Sequence, residues 1–401
     1  MQPQVCIAGG GPAGMMLGYL LGRAGIRTCV LEKHGDFLRD FRGDTVHPST
    51  LQVMHELGLL QEFLRRPHSE LHALSLEFAE RSYKIADFRH IPAVCRYTAI
   101  MPQWDFLNFL AEKGRELPTL QVIMQAEVKA LIESGGRVVG VEATTPGGPL
   151  QLHAQLVIGC DGRSSTVRKA AGLAVEELGS PIDVLWFRLS KQAGDPQQVL
   201  GRITRDSMLV TIDRDSYWQC AFVIVKGGIE QVHADGLEAF RRRVAAAAHF
   251  LADRVQELKS FDDIKLLSVS VDRLTTWWRP GLLCIGDAAH AMSPVGGVGI
   301  NLAIQDAVAT ANLLAASLKN GTFKDQHLER VQRRRLFPVK LIQRVQVLVQ
   351  NRVLKPAVTG SQRELKVPWV IRLLDRSAWL RRWPAQLLGL GVRPEHVRSP
   401  H

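Results

Sequence analysis

The sequence predicts an α/β protein: a Rossmann-like nucleotide-binding domain built from discontinuous stretches, an inserted and mainly antiparallel β-sheet domain, and a helical C-terminal segment. Three observations carry this prediction. Residues 5–33, VCIAGGGPAGMMLGYLLGRAGIRTCVLEK, run apolar strand, glycine turn, helical spacing, second apolar strand, which is the order of a βαβ unit. Two acidic glycine turns follow apolar runs far downstream, GCDGRSSTVRK from residue 159 and GDAAHAMSPVGGVGINLAIQD from residue 286. Between them DVLWFRLS, SMLVTIDR and YWQCAFVIVKG alternate in and out, as the strands of a half-buried antiparallel sheet do.

The remaining elements follow in order. HPSTLQVMHELGLLQEFLRR has amphipathic helical spacing, with Pro48 suited to a first turn and Gly58 marking a break. LHALSLEFAERSYKIADFR alternates like two paired strands, and MPQWDFLNFLAEKGREL returns to helix. Residues 120–162 read as several strands joined by Gly-Gly turns. GLEAFRRRVAAAAHFLADRVQEL reads as one helix and IKLLSVSVDRLTTWW as strand, and beyond Gly321 the chain reads as helical and Arg-rich to its end. The division expected is a nucleotide domain over 1–75, 96–180 and 270–325. A substrate domain covers 76–95 and 181–269, and a basic helical segment covers 326–401.

With 401 residues, the chain can hold two or three units with a real core. Its 46% hydrophobic and 22% charged residues are an ordinary globular balance. The formal charge of +11 is concentrated: residues 330–401 hold 16 Lys/Arg against 3 Asp/Glu, so the rest is close to neutral. A neutral body argues against a protein organised around nucleic acid. The basic tail is a candidate for a membrane surface, a cover over the body or a homodimer contact. None of the six cysteines forms a CxxC pair or a metal-ligand spacing with a nearby histidine. Buried free thiols in a reducing cytoplasm are the expectation, with no metal site. The N-terminal apolar run is broken by glycines and a proline and lacks a charged start, so neither a signal peptide nor a spanning helix is expected there.

Gly9, Gly11 and Gly14 fit GxGxxG. The first permits the turn, the second lets backbone approach a pyrophosphate, and the third lets helix and strand pack closely. The helix start adds unpaired N–H groups and a positive dipole end. Glu32 lies 18 residues beyond Gly14, close to the separation expected of an acid that binds an adenosine ribose. This half-site alone does not choose between FAD and NAD.

The order GxGxxG, then Asp161-Gly162, then Gly286-Asp287 with His290, Pro294 and a glycine loop resembles the p-hydroxybenzoate hydroxylase-like family of single-component FAD-dependent aromatic hydroxylases. The resemblance spans roughly residues 1–320 and implies a GR2-type FAD-binding domain. It implies that Gly9, Gly11, Pro12, Ala13, Gly14, Glu32 and Lys33 hold the ADP half of FAD. Arg42 would reach the pyrophosphate, Gln103 would lie beside the cofactor, and Val128 would touch the adenine side. Asp161 and Gly162 match a turn associated with both FAD and pyridine-nucleotide use. Gly286 and Asp287 would meet the ribityl side, and Gly297, Gly299, Ile300 and Asn301 would present backbone N–H groups to the flavin pyrimidine edge. Two departures bear on substrate and nucleotide handling: Val298 is apolar between its glycines, and Arg163 follows Gly162 without a small spacer.

The implied reaction reduces FAD with NADH or NADPH, forms a flavin C4a-hydroperoxide with O2, and hydroxylates an aromatic or otherwise electron-rich apolar substrate. Catalytic candidates facing the cavity are His47, Trp186, Arg188, Tyr217, Gln219 and Pro294, with Trp186 and Arg188 on one strand face by alternation. Each could equally pack the sheet or meet solvent. His290 could act as a base, but a structural role, capping the turn or packing beside the flavin, is favoured. Alternatives on the same scaffold are an isoprenoid-chain reductase and a flavin halogenase. The chain lacks the Trp-x-Trp-x-Ile-Pro segment of the latter. A non-catalytic FAD-binding protein at a membrane surface is a third alternative.

Overall fold

The computed structural model describes residues 2–38, 45–78, 81–196, 200–204, 207–214, 216–359 and 367–400. The elements that build the site begin with β1 (Val5–Ala8), α1 (Pro12–Arg23), β2 (Thr28–Glu32) and α2 (Pro48–Glu56). There follow β3 (Ala73–Phe78), β4 (Arg81–Asp87), α3 (Gln103–Arg115), β5 (Leu120–Met124) and β6 (Leu156–Gly159). The second half supplies β7 (Ile182–Ser190), β8 (Leu200–Ile203), β9 (Met208–Asp213), β10 (Tyr217–Val225), α4 (Leu237–Ala247) and β11 (Leu282–Cys284). Last come α5 (Gly299–Lys319), α6 (Gln326–Val349), α7 (Trp369–Arg376) and α8 (Arg382–Gly389).

Strands β11, β6, β1, β2 and β5 form a parallel sheet in that order, edged by an antiparallel strand Trp278–Arg279. β1 and β6 are wholly buried, which is why they read as continuous apolar runs. Helix α1 presses onto the sheet through small residues: a Cβ on Gly18 would lie 2.7 Å from Val30 Cγ2, and one on Gly22 would lie 2.9 Å from Leu120 Cβ. The chain runs outward from β1 to β2 and β5, then returns to β6 and β11 on the other side. The strand order therefore reverses between β1 and β6, where open α/β sheets leave a ligand crevice.

A second sheet orders a short strand Lys265–Leu267, then β7, β10, β9, β8, β3 and β4. Every pairing is antiparallel except β3 with β8. Alternation gives this sheet two distinct faces. Leu185, Phe187, Trp218, Cys220 and Phe222 pack against Phe240 and Val244 of α4. Val184, Ala221 and Val223 belong to separate apolar clusters on the opposite face. The boundary drawn at 75/76 cuts β3, so this sheet takes up the chain three residues earlier.

Three expected elements differ, the simplest being the tail, which reads as helical to its end but runs without helix over residues 391–400. The helix read over 236–258 stops at Ala247, Ala248 is extended (φ −146°), and 3₁₀ turns follow. Leaving the helix lets Arg254 turn inward. Its guanidinium bonds Asp195 at 2.6 and 3.0 Å, and Trp218 Nε1 donates to the same carboxylate at 2.7 Å. This arrangement holds Asp195 at a pKa of about 2, chiefly through Arg254. The strand read over 264–278 is three short strands in three sheets, at Lys265–Leu267, Asp272–Leu274 and Trp278–Arg279. One apolar run is thus divided among three partners.

Helix α6 packs on α5 with Leu328, Val331, Val339 and Ile342 buried. The stretch Val295–Lys319 is long and apolar enough to cross a membrane, yet 78% of its apolar 18-residue window is buried inside the protein, so it is a core helix. All six cysteines are free thiols.

Candidate active site

At the end of β1, close approach fixes two glycines. Gly9 has φ +104°, and a Cβ there would lie 2.4 Å from Cys160 O; one on Gly14 would lie 1.9 Å from Gly9 O. At Gly11 a Cβ would meet nothing within 4 Å. The tight positions hold the turn, and the open one faces room at the start of α1, where Pro12 and Ala13 open the helix. The N–H groups of that first turn have no acceptor within the helix, so the spot suits an anion. Glu32 is buried at the end of β2, its Oε2 accepting Gly10 N–H at 2.9 Å and its Oε1 accepting His34 N–H at 3.0 Å. A carboxylate can accept further hydrogen bonds, which leaves capacity for a sugar hydroxyl. Nearby, Lys33 is exposed, Val128 is buried in the strand Glu127–Ser134, and Gln103 is the half-buried first residue of α3. Arg42 lies outside the described residues.

The two downstream turns converge on this place. Asp161 spends its carboxylate locally: Oδ1 accepts Ser165 Oγ–H at 2.5 Å, and Oδ2 accepts Val167 N–H at 3.0 Å. That fixes the start of the short helix Thr166–Ala170, with Gly162 in the left-handed region just before it. Asp287, about one-third exposed, lies 3.6 Å from Arg163 Nη2, so the second and third motifs meet through this pair. A Cβ on Gly286 would sit 3.1 Å from Ala13 Cβ and 3.3 Å from Ala303 Cβ. The starts of α1 and α5 therefore lie side by side, although nearly 290 residues separate their sequences.

The loop from Pro294 to Gly299 ends where α5 begins. Leu302 N–H is the first to bond back, to Val298 O at 3.0 Å, so the earlier N–H groups at Gly299, Ile300 and Asn301 precede the helical ladder. A Cβ on Gly299 would meet only Met292 Cβ, at an ordinary 3.9 Å. Gly297 is constrained: its φ is +62°, a Cβ would lie 2.4 Å from Thr45 Oγ1, and that hydroxyl donates to Gly297 O at 2.9 Å. An elongated ligand with an anionic centre and an electron-poor ring fits this set. The first open glycine and buried acid suit a dinucleotide end, and the second helix start suits a ring that gains negative charge.

Side chains from distant elements clamp that loop. The Asn301 side chain is occupied: its Oδ1 accepts His47 N–H at 3.0 Å and Thr50 Oγ–H at 2.7 Å, joining α2 to α5. His47 Nδ1–H donates to Leu388 O of α8 at 2.7 Å, which leaves Nε2 buried, unprotonated and without a partner among the described residues. Burial holds its pKa down at about 4, only partly opposed by the Leu388 bond, so the ring is neutral near pH 7. It offers an acceptor, and as a base it is weak. His290 is buried against Trp277, and its Nε2 meets Asp306 Oδ2 at 2.6 Å. Asp306 also receives Gly286 N–H at 3.1 Å and Arg335 Nε–H at 2.8 Å. Burial alone would raise the pKa of Asp306, but His290 and Arg335 outweigh it and hold it down. His290 is therefore part of a buried clamp around Asp306.

Sequence reasoning missed the clamp from α6. Gln346 Oε1 accepts Ser293 N–H at 3.1 Å, and its Nε2 donates to Ser293 O and Val295 O, both at 2.9 Å. Gln343 donates to Asp272 O and Ala291 O, and Gln350 to Ser293 Oγ at 2.6 Å. A signal was present: glutamines at 343, 346 and 350 repeat on one helical face in an otherwise Arg- and Val-rich segment.

The sheet candidates share one face. Trp186 pairs with Ala221 and Arg188 with Gln219, and Tyr217 follows two residues before Gln219 on the same side. A row across the sheet reads Trp186, Ala221, Val210, Gly201, Leu76, Tyr83. Val295 of the clamped loop packs into the apolar cluster on this face. Trp186 is half-buried, whereas Arg188 is exposed with its guanidinium 5.1 Å from the centre of the Tyr217 ring. Gln219 is buried and accepts from Arg214 Nε–H at 3.1 Å. His47 and Pro294 lie at the loop instead, so the candidates occupy two sides of one region.

Comparison with known proteins agrees with this geometry. A family model described as "FAD binding domain" matches residues 2–345. The chain is 34% identical over 375 residues to 6-methylpretetramide 4-monooxygenase of Streptomyces rimosus, covering 93% of this chain and 89% of that protein. It is 27% identical over 332 residues to the uncharacterized aromatic compound monooxygenase YhjG of Bacillus subtilis (strain 168), covering 80% of this chain and 62% of that longer one. The solved structure of PqsL from P. aeruginosa with 2-aminobenzoylacetate matches with a TM-score of 0.77 at 22% identity, over 94% of this chain and 100% of that chain. The last likeness establishes the fold. Together with the converging glycine turns, the family match and the first relative make the chain a member of the FAD-binding-domain family of FAD-dependent aromatic monooxygenases, with FAD as its cofactor.

Proposed function

We propose that the protein hydroxylates a planar, largely apolar aromatic molecule, taking electrons from NADH or NADPH and one oxygen atom from O2. The observation that carries the reading is the apolar wall Trp186–Ala221–Val210–Gly201–Leu76–Tyr83, set beside a glycine loop held rigid from three sides. When bound, FAD supplies the redox and oxygen chemistry. The chain's own part is to bind, orient and keep water out. In this reading Gly11 and the start of α1 take the pyrophosphate, Glu32 the adenosine ribose and Asp287 the ribityl side. The N–H groups of Gly299, Ile300 and Asn301 would meet the flavin pyrimidine edge, whereas Gly297 N–H, expected there from sequence, is taken by Pro294 O at 3.0 Å. The Trp186–Ala221–Val210 end of the wall takes the flat face of the substrate, the Leu76–Tyr83 end being packed against Leu354, Val358 and Ile371. Arg188, Tyr217 and Gln219 meet its polar edge, and His47 Nε2 accepts a hydrogen bond from a hydroxyl nearby. The names of the relatives, a 6-methylpretetramide monooxygenase and an aromatic compound monooxygenase, support an aromatic substrate. A cytoplasmic location goes with it, supported by six free thiols.

The test is turnover under isotopically labelled O2 with a panel of phenols and fused-ring aromatics, following NADH and NADPH separately. The expected result is substrate-stimulated cofactor oxidation with one labelled oxygen in the product. Substrate reduction without incorporation of oxygen would replace this reading with the reductase.

A further inference from the structure

The basic tail divides in two. Helix α6 covers the core, but α7 and α8 turn apolar side chains outward. Trp369 of α7 is 73% exposed and Trp383 of α8 62%, Trp379 in the turn between them is 60% exposed, and Val370 and Leu373 of α7 are each 45% exposed. Trp379 and Trp383 lie edge to face, with ring centres 6.2 Å apart. Large exposed aromatics gathered in this way ask for a partner. Their surroundings are cationic: residues 367–391 carry four arginines and one acid, Asp375. Arg376 and Arg382 are exposed, while Asp375 is engaged by Lys84 N–H at 3.0 Å and lies 3.9 Å from Arg81.

We infer that this face docks on an anionic lipid surface. Tryptophans flanked by arginines suit the boundary between head groups and acyl chains, where the ring is half apolar and the cation meets lipid phosphate. Charge argues against a second copy as the occupant, because a symmetric dimer would bring the same cationic patch against itself. The position adds a reason. The inner side of α7, through Ile371, packs in the same cluster as Phe78, Tyr83 and Val295. One short helix thus has the substrate wall behind it and the apolar patch in front. Resting on the function proposed above, this gives a lipid-dissolved aromatic a short way in.

The experiment is flotation of the FAD-loaded protein with phosphatidylglycerol vesicles and, separately, with pure phosphatidylcholine vesicles. It needs no turnover, so it stands or falls apart from the substrate reading. Binding to the anionic vesicles alone is expected. Trp369→Ser, Trp379→Ser and Trp383→Ser together should weaken it roughly tenfold or more. Arg376→Gln with Arg382→Gln should weaken it about thirtyfold. Retained FAD and an unchanged melting temperature show that each variant is folded. No binding to either vesicle, or equal binding by the triple variant, overturns the proposal. A concentration-dependent dimer that the same substitutions dissolve, with no flotation, overturns it in favour of self-association.

Discussion

The two glycine units meet in space but are held in opposite ways. The first is held by itself and its sheet neighbours: Gly9 against Cys160, Gly14 against Gly9, Glu32 beneath Gly10. The second is held by groups from other parts of the chain, namely His47 N–H and the Thr50 hydroxyl upstream and the Arg335 and Gln346 side chains downstream. Local steric fit makes the first a rigid socket. The second is only as rigid as the buried polar contacts around it, so polar substitutions should damage it selectively.

The largest effect is expected from Asp306→Ala. It would leave the buried Arg335 with only Glu395, 3.6 Å from its Nη1, as counter-charge, and remove the partner of His290 and of Gly286 N–H. Breaking a buried pair in this way costs about 3–5 kcal/mol, to be read from urea unfolding of the apoprotein. A loss under ~1 kcal/mol would mean that the second unit does not depend on this clamp.

His47 gives the next effect, and its sign is fixed. Its folded pKa of about 4 lies below the ordinary histidine value of about 6.5, so between those pH values the unfolded chain binds the proton and the folded one does not. Stability should therefore fall as pH drops from about 6.5 to about 4, by ~3 kcal/mol, and level off below. His47→Asn should flatten that part of the profile. An unchanged slope would show that the ring is not buried neutral against α8.

Gln346→Ala should cost less, about 2 kcal/mol, because it strands one N–H and two carbonyls of residues 293–295 without leaving a charge. Its more telling readout is FAD affinity, expected to fall roughly tenfold as the loop loosens. A loss of stability with unchanged affinity would separate the α6 clamp from the cofactor.

This contrast also explains what the sequence made legible. GxGxxG with Glu32 is short-range geometry, written in adjacent residues, and the βαβ opening and antiparallel insert follow from apolar periodicity. The clamp depends on pairs such as His47 with Leu388 and Ser293 with Gln346, which a single chain read linearly does not join. Burial also gave some of these residues a further part that the sequence did not show. Asn301 was read for its backbone N–H, yet its side chain is the tie between α2 and α5, and Asp161 spends its carboxylate capping a local helix. The helix read through Arg254 broke because Asp195, almost sixty residues earlier, draws that arginine inward.

The smallest effect on the fold should come from Gly11→Ala, and it tests the first unit most sharply. Gly11 has φ −74°, a conformation any residue adopts, and a Cβ there would meet nothing within 4 Å. The apoprotein should therefore be as stable as the parent, or firmer by about 0.5 kcal/mol because alanine narrows the unfolded ensemble. FAD binding should nevertheless weaken by roughly tenfold to a hundredfold, since the methyl would occupy the space a pyrophosphate needs and overpacking costs about 1–3 kcal/mol. Titration of apoprotein with FAD, followed by flavin fluorescence, reads both together with the melting temperature. Undiminished affinity would mean that the open space at Gly11 is not where the phosphates sit, and that the helix start of α1 holds the cofactor by another route.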